Sequence, residues 1–283
     1  MPKKSPKVSV LTPIYNTNPE HLREMIESIL TQTFTDFEFL ILNDSPDNTE
    51  IEKIVSEYAK HDKRVKYLKN EHNMGITPSR NSLLKVARGE YLAIFDHDDV
   101  SMPTRLEQEV AYLDNHSDIG VVSGWLEYFG VDNNVWQTPE NDSDIRIMTC
   151  DNCYVAHTAA MIRKSVLVDN GIEYEEFFTP AEDYRLWARL LDVTRFYNIQ
   201  EVLVRYRWTG NNTSRTQNAK RELARRSIYL DFRDKHLGVY EEFKKHNPNT
   251  RFRLRLFGIP LLKIKHNTVY LFEFIPLFKI KWK

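Results

Sequence analysis

Two hydrophobic rhythms alternate along the first half of the chain. Short apolar and β-branched runs, "VSVLT" (8–12), "EFLILN" (38–43), "VKYLK" (65–69), "YLAIF" (91–95) and "GVVSG" (120–124), have the composition of buried strands. Amphipathic stretches lie between them. In "PEHLREMIESIL" (19–30), Leu22, Met25, Ile26, Ile29 and Leu30 recur at helical spacing, Asn18 stands where an N-cap belongs, and Pro19 suits the first helical position. "TEIEKIVSEYA" (49–59) and segments near 78–88 and 103–115 continue the series. This repetition predicts an α/β fold with a mostly parallel sheet flanked by helices. From about 125 to 215 the rhythm is less regular, with a helix expected over 183–191 ("DYRLWARLL"), a strand over 201–208 ("EVLVRYRW") and a helix at about 217–235.

In open sheets of this class, ligands sit beyond the carboxyl ends of the strands. Polar residues gather there: "TPIYN" follows the first run, "NDSPDN" the second and "DHDD" the fourth. The last is the sharpest signal, because Asp96, Asp98 and Asp99 crowd together with only His97 among them. In extended chain Asp96 and Asp98, two apart, present their carboxylates to one side. Hard oxygen ligands of this kind suit Mg2+ or Mn2+. A turn that uses aspartate as a local capping acceptor is the competing explanation.

The chain has 283 residues, 41% hydrophobic and 12% aromatic, enough for a sizeable core. No apolar run approaches the roughly 20 residues that span a bilayer. The opening "MPKKSPKVSVLTPIYN" lacks the apolar centre of a secretory signal, so a cytoplasmic location is expected. Cys150 and Cys153 form a lone CxxC with only His157 close by, and are expected to be ordinary reduced thiols.

The net charge of −1 hides an asymmetry: from Lys244 to Lys283 ten Lys and Arg face one acid, Glu273. That tail contains a repeat, "IPLLKIK" (259–265) and "IPLFKIK" (275–281), in which Pro260 and Pro276 demote the strand starts. Apolar groups interleaved with basic charge fit an anionic membrane surface. A β-hairpin packed on the domain, or mediating a homodimer, fits the same pattern. Nucleic acid is the weaker partner, since no DNA- or RNA-binding motif accompanies the charge.

The order "VSVLTPIYN", "ESILTQTFTDFEFLILND", "NMGITPSRNSLLKVARGEYLAIFDHDD" and "AEDYRLWARLL" resembles a family 2 inverting glycosyltransferase of GT-A fold, of the bacterial surface-polysaccharide type. The resemblance covers about residues 7 to 215. It implies a catalytic domain over 1–240, with a nucleotide-binding half (about 7–125) and an acceptor half (about 126–215), followed by a basic extension over 241–283. It also implies a UDP-sugar donor, a divalent Mn2+ or Mg2+ cofactor, and a growing surface glycan, lipid-linked or not, as acceptor.

Residue by residue, the resemblance makes Asp98 the metal ligand and Asp96 a ribose-facing group that also touches the cation. Asp99 orients its neighbours, and His97 lies in the same nucleotide-sugar motif. Pro13, Tyr15 and Asn16 line the base pocket, and Asp44 accepts from the uracil ring. The family's "DDGSxD" is here the shorter "NDSPDN", with Asn43 at the first acid. Arg80 and Asn81 match the family's "ARN" beside the nucleotide, and Gly75 permits a turn near that pocket. Asp183 is the implied general base, with Glu182 positioning the acceptor or Asp183.

Relatives often carry a histidine in "YRxHxxNxS" where this chain has Thr209, which leaves diphosphate oxygens and water to complete the metal shell. Arg207 neutralises diphosphate or is an ordinary exposed arginine. His157 belongs to the acceptor-side segment or is structural. Two rivals stand beside this reading. A sugar-nucleotide nucleotidyltransferase would show a Gly-rich basic loop after the first strand, which "TPIYNTNPE" lacks. A silent glycan- or membrane-binding relative need not keep both DHDD and AED.

Overall fold

The computed structural model describes residues 5–131, 133–209 and 218–247, together with four short strands between 253 and 279. The chain divides into two compact units, Met1–Lys235 and His236–Lys283.

In the first unit the expected alternation is present. Its opening elements are β1 (Val8–Ile14), α1 (Pro19–Leu30), β2 (Phe37–Asn43), α2 (Thr49–His61), β3 (Val65–Lys69), α3 (Ile76–Val86) and β4 (Tyr91–Ile94). The four strands lie in the order β3-β2-β1-β4 and pair in parallel. Covered on both faces, β1 and β2 are buried along their whole length, which explains their nearly unbroken apolar composition. Helix α1 has the bounds its periodicity predicts. The Asn18 side chain accepts from the Glu20 and His21 N–H groups, and Leu22, Met25, Ile26 and Ile29 are buried.

The chain continues through β5 (Val100–Ser101), α4 (Arg105–Asn115), β6 (Ile119–Gly130), β7 (Val135–Trp136), α5 (Asp142–Thr149), β8 (Met161–Arg163), α6 (Lys164–Asn170), α7 (Glu182–Leu190), β9 (Arg195–Trp208) and α8 (Asn218–Lys235). Beyond β4 the sheet is mixed. Strand β8 runs antiparallel to β4 and β6, while β9 is parallel to β6 and antiparallel to β5. Both β6 and β9 extend well past the short runs seen in the sequence, because each covers the other. The end of β4 is held by Arg105, a fully buried cation that donates to the Ile94 carbonyl at 2.8 Å and to Glu109 at 3.2 Å.

The second unit holds α9 (Leu237–His246) and the strands β10 (Arg253–Leu256), β11 (Ile259–Lys265), β12 (Thr268–Leu271) and β13 (Ile275–Lys279), an antiparallel sheet in chain order. The repeated "IPL" segments open β11 and β13, so the prolines lie inside strands rather than before them. Arg255 pairs with Pro260 and Tyr270 with Pro276, and in both hairpins the register shifts beside that pair. A bulge at a residue that has no N–H to donate removes little from the ladder.

Candidate active site

The carboxyl ends of β1, β2 and β4 open on a cavity of about 1220 Å3, larger than the roughly 300–1,000 Å3 typical of small-ligand pockets. Pro13, Tyr15, Asp44, Gly75, Arg80, Asp96, His97, Asp98, Glu182 and Asp183 all line it. The structure therefore brings together motifs that the sequence separates by more than a hundred residues.

The link between them is Arg80. From α3, its Nη1 donates to Glu182 Oε1 at 2.6 Å and its Nη2 to Asp96 Oδ1 at 3.2 Å. The guanidinium lies over the Tyr174 ring, 5.5 Å from its centroid. Burial raises the Asp96 carboxyl, but the charge and hydrogen bond of Arg80, with smaller contributions from His157 and His97, together hold Asp96 below the ordinary range. Burial also opposes the charge on Arg80 itself, yet Asp96 and Glu182 keep it firmly protonated.

The aspartate cluster is a turn rather than extended chain, which corrects the simple alternation argument. Asp96 and Asp98 nevertheless line the same cavity, while Asp99 is buried and accepts from the Arg207 N–H at 2.9 Å. Burial raises the Asp98 carboxyl and the Asp96 charge adds to it; burial lifts Asp99 well above the ordinary range, with Asp98 and Asp96 contributing. The turn is tied to the loop after β1 by Thr17 Oγ1 and His97 Nδ1, 3.0 Å apart. The Asp96 N–H donates to Thr158 Oγ1 at 3.1 Å.

Among the described residues, no three His, Cys, Asp or Glu side chains converge as a ready-made cage for a cation. None of the described residues hydrogen-bonds the Asp98 carboxylate, which faces the cavity. Two cavity-facing carboxylates without a protein cage fit an oxygen-loving cation that completes its shell with phosphate oxygens and water.

Asp44 is buried and accepts from Asn70 Nδ2 at 2.7 Å and from the Met74 and Gly75 N–H groups, each at 2.8 Å. It therefore builds the loop through Met74 and Gly75 at the rim of the cavity. Gly75 there has φ 89° and ψ 166°, a conformation open essentially to glycine alone. Asn43, in place of the family's acid, is fully buried and accepts from the Ser45 N–H and hydroxyl at 2.8 and 2.9 Å.

Three residues expected in the site lie outside the cavity lining. Asn81 exchanges two hydrogen bonds with the Tyr174 backbone, at 2.9 and 3.0 Å, and so braces the ring beneath Arg80. Arg207 donates from Nε to the Asp98 carbonyl at 2.7 Å and pairs with Glu24, an arrangement that clamps the turn. Asn16, at φ 44°, joins the loops after β1 and β2 through Ser45 and Asn48. Chain proximity alone does not distinguish a residue that faces a ligand from one that holds its neighbour.

On the other side of Arg80, Asp183 takes the Tyr184 N–H on Oδ1 at 2.7 Å. Burial raises its carboxyl despite partial compensation from that N–H, Arg80 and Arg221, and burial likewise raises Glu182. His157 lines the cavity and shares a hydrogen bond of 2.9 Å with the Tyr174 hydroxyl. Burial, then Arg80, pushes its pKa down to about 3, so the ring is neutral. Cys150 and Cys153 are free thiols, one buried and one half-buried. Thr209 lines the cavity; residues 210–215 of the patch that it opens lie outside the described residues.

An aromatic shelf went unnoticed in the sequence. Tyr128 on β6 stands opposite Tyr206 on β9, their ring centroids 5.4 Å apart, with Trp208 5.7 Å from Tyr128. All three line the cavity. The spacing of Tyr206 and Trp208, two apart in a strand, was the available signal.

The family model described as Glycosyl transferase family 2 matches residues 9–171. An uncharacterised glycosyltransferase of Methanocaldococcus jannaschii is 32% identical over 98% of this chain and 92% of its own. The O-antigen biosynthesis glycosyltransferase WbnJ of Escherichia coli is 30% identical over 72% of this chain and 80% of its own. Among solved structures, S. aureus TarS 1–349 in complex with UDP-GlcNAc superposes with a TM-score of 0.68 at 21% identity, covering 86% of this chain and 73% of that one, and so shares the GT-A fold. With the family match spanning more than half of the chain and a relative similar along nearly all of it, the protein belongs to glycosyltransferase family 2.

Proposed function

We propose that the protein is a metal-dependent, inverting glycosyltransferase that moves a sugar from a UDP-sugar to a hydroxyl of a growing surface glycan. The observation that carries this reading is the Arg80 bridge, which sets a donor-side carboxylate, Asp96, and an acceptor-side pair, Glu182 and Asp183, around one cavity. The UDP-GlcNAc complex of TarS and the O-antigen role in the name of WbnJ support the donor and acceptor classes.

Tyr15 and the Asp44-built loop would receive the base. Asp98 and Asp96 would hold a Mn2+ or Mg2+ ion, whose chemistry is to take up charge developing on the departing diphosphate. Asp183 accepts the proton of the acceptor hydroxyl as its oxygen attacks the anomeric carbon. The new bond forms on the face opposite the breaking bond to UDP, so the configuration inverts. Glu182, tethered by Arg80, keeps its place beside Asp183. The Tyr128, Tyr206 and Trp208 shelf offers apolar ring faces to the acceptor sugar. The extension beyond residue 240 brings the enzyme to an anionic membrane surface.

Calorimetry with UDP, with and without Mn2+, tests the reading. Metal should strengthen UDP binding to the wild type, and Asp98→Asn should abolish that gain. Metal-independent UDP affinity, or none at all, would reject the proposal.

A further inference from the structure

Tyr174 belongs to none of the motifs that the sequence carries, yet three parts of the site meet on it. It lies in the segment between α6 and α7 and is only 3% exposed. Its backbone N–H and carbonyl both bond the Asn81 side chain on α3. Its ring lies under the guanidinium of Arg80, the preceding residue of that helix, and its hydroxyl shares the 2.9 Å hydrogen bond with His157 Nε2. Two of these attachments lead to Asp96. Arg80 Nη2 donates to Asp96 Oδ1, and His157 Nδ1 stands 3.9 Å from the same oxygen. A guanidinium on a flexible stem is free to settle on one acid, and Arg80 Nε is buried without a hydrogen-bond partner among the described residues. The ring face offsets part of that cost and steadies the planar group where it reaches both Asp96 and Glu182. Packing does not require the hydroxyl, since phenylalanine would fill nearly the same space. With the hydroxyl donating to Nε2, the neutral imidazole carries its own proton on Nδ1, the nitrogen nearer Asp96.

We infer that Tyr174 is a positioning residue: by fixing Arg80 and His157 on one oxygen of Asp96, it commits the other oxygen, Oδ2, to the divalent cation. This deepens the transferase reading and rests on it. Partners that orient a metal ligand set metal affinity nearly as firmly as the ligand itself.

Calorimetry of UDP into the full chain, with and without Mn2+, reads the effect as the gain in UDP affinity that the metal confers. Tyr174→Leu should cut that gain about ten- to a hundredfold, or abolish it, and leave the metal-free affinity unchanged. Tyr174→Phe keeps a ring beneath Arg80 and releases His157, so its loss should be smaller, about two- to tenfold, the range of one neutral hydrogen bond. Adding Tyr174→Phe to His157→Gln should cost nothing further, because the hydroxyl acts through the imidazole. A residue that only supports the fold would lower the unfolding midpoint and leave the metal gain intact. Should Tyr174→Leu unfold, Tyr174→Phe alone must show the smaller loss. An undiminished gain in either variant, or an equal fall of UDP affinity with and without Mn2+, overturns the inference. The wild type separates the two claims. If it shows no metal gain, the donor reading fails and takes this inference with it; if it gains and the variants gain equally, only the role of Tyr174 fails.

Discussion

Asp183 is the residue on which turnover depends in the proposed mechanism. Asp183→Asn keeps size and hydrogen bonding but removes the proton acceptor, so kcat should fall by about 10²–10⁴-fold while the Kd for UDP is unchanged. Full transfer by this variant would take the base role away. The pH dependence follows from the same carboxyl. Burial raises it above the ordinary 3.8, and only its ionised form accepts a proton. Activity should therefore be complete at higher pH and be lost as pH falls through that raised value, with kcat/KM carrying an acid limb that disappears in Asp183→Asn. At this scale the carboxylates were legible in the sequence, because clustered acids at a strand end and a helix start are rare enough to stand out. The sequence singled out Arg80 but not its bridge to Glu182, since its partners are set by how α3 and α7 meet. Tyr174 left no signal, because a lone tyrosine outside any periodic run looks like any packed aromatic residue.

Among the elements, the loops that rim the cavity carry the conformational specialisation. Gly75 occupies a backbone region closed to side chains, and a Cβ added there meets nothing within 4 Å. Gly75→Ala should therefore cost about 1–3 kcal/mol through backbone strain alone. Denaturant unfolding would show the loss, and UDP affinity should weaken with it because the same N–H is held by Asp44. A variant as stable as the wild type would mean that the loop relaxes freely. Helices α1 and α2 were readable nearly to the residue, since their apolar spacing and caps are local. Strand β6 was read short because its outer half carries Trp125 and Tyr128 among polar residues, and β9 because its opening residues mix Arg195, Asn198 and Gln200 with the apolar ones. Tyr128, like Tyr206 and Trp208 opposite it, follows the demands of a cavity wall rather than of a strand core.

For the molecule as a whole, the charge of the tail bears on where the enzyme works. The membrane proposal predicts that the full chain sediments with anionic phosphatidylglycerol vesicles and not with neutral ones, and that added salt releases it. Removal of residues 248–283 should abolish this binding. Equal binding to neutral vesicles, or a salt-independent dimer in light scattering with no vesicle binding, would favour the alternative role in self-association. The sequence alone determined the alternation of strands and helices, the parallel N-terminal block, the acidic cluster after β4 and the acidic helix start, because each is a relation between residues a few positions apart. Only the tertiary structure decided that Asp96 and Glu182 share one arginine, that Asn81 and Arg207 brace the site from outside the cavity, and that an aromatic shelf completes its wall. Those relations cross a hundred residues or more of chain, or depend on which way a side chain faces, and sheet order and packing set both.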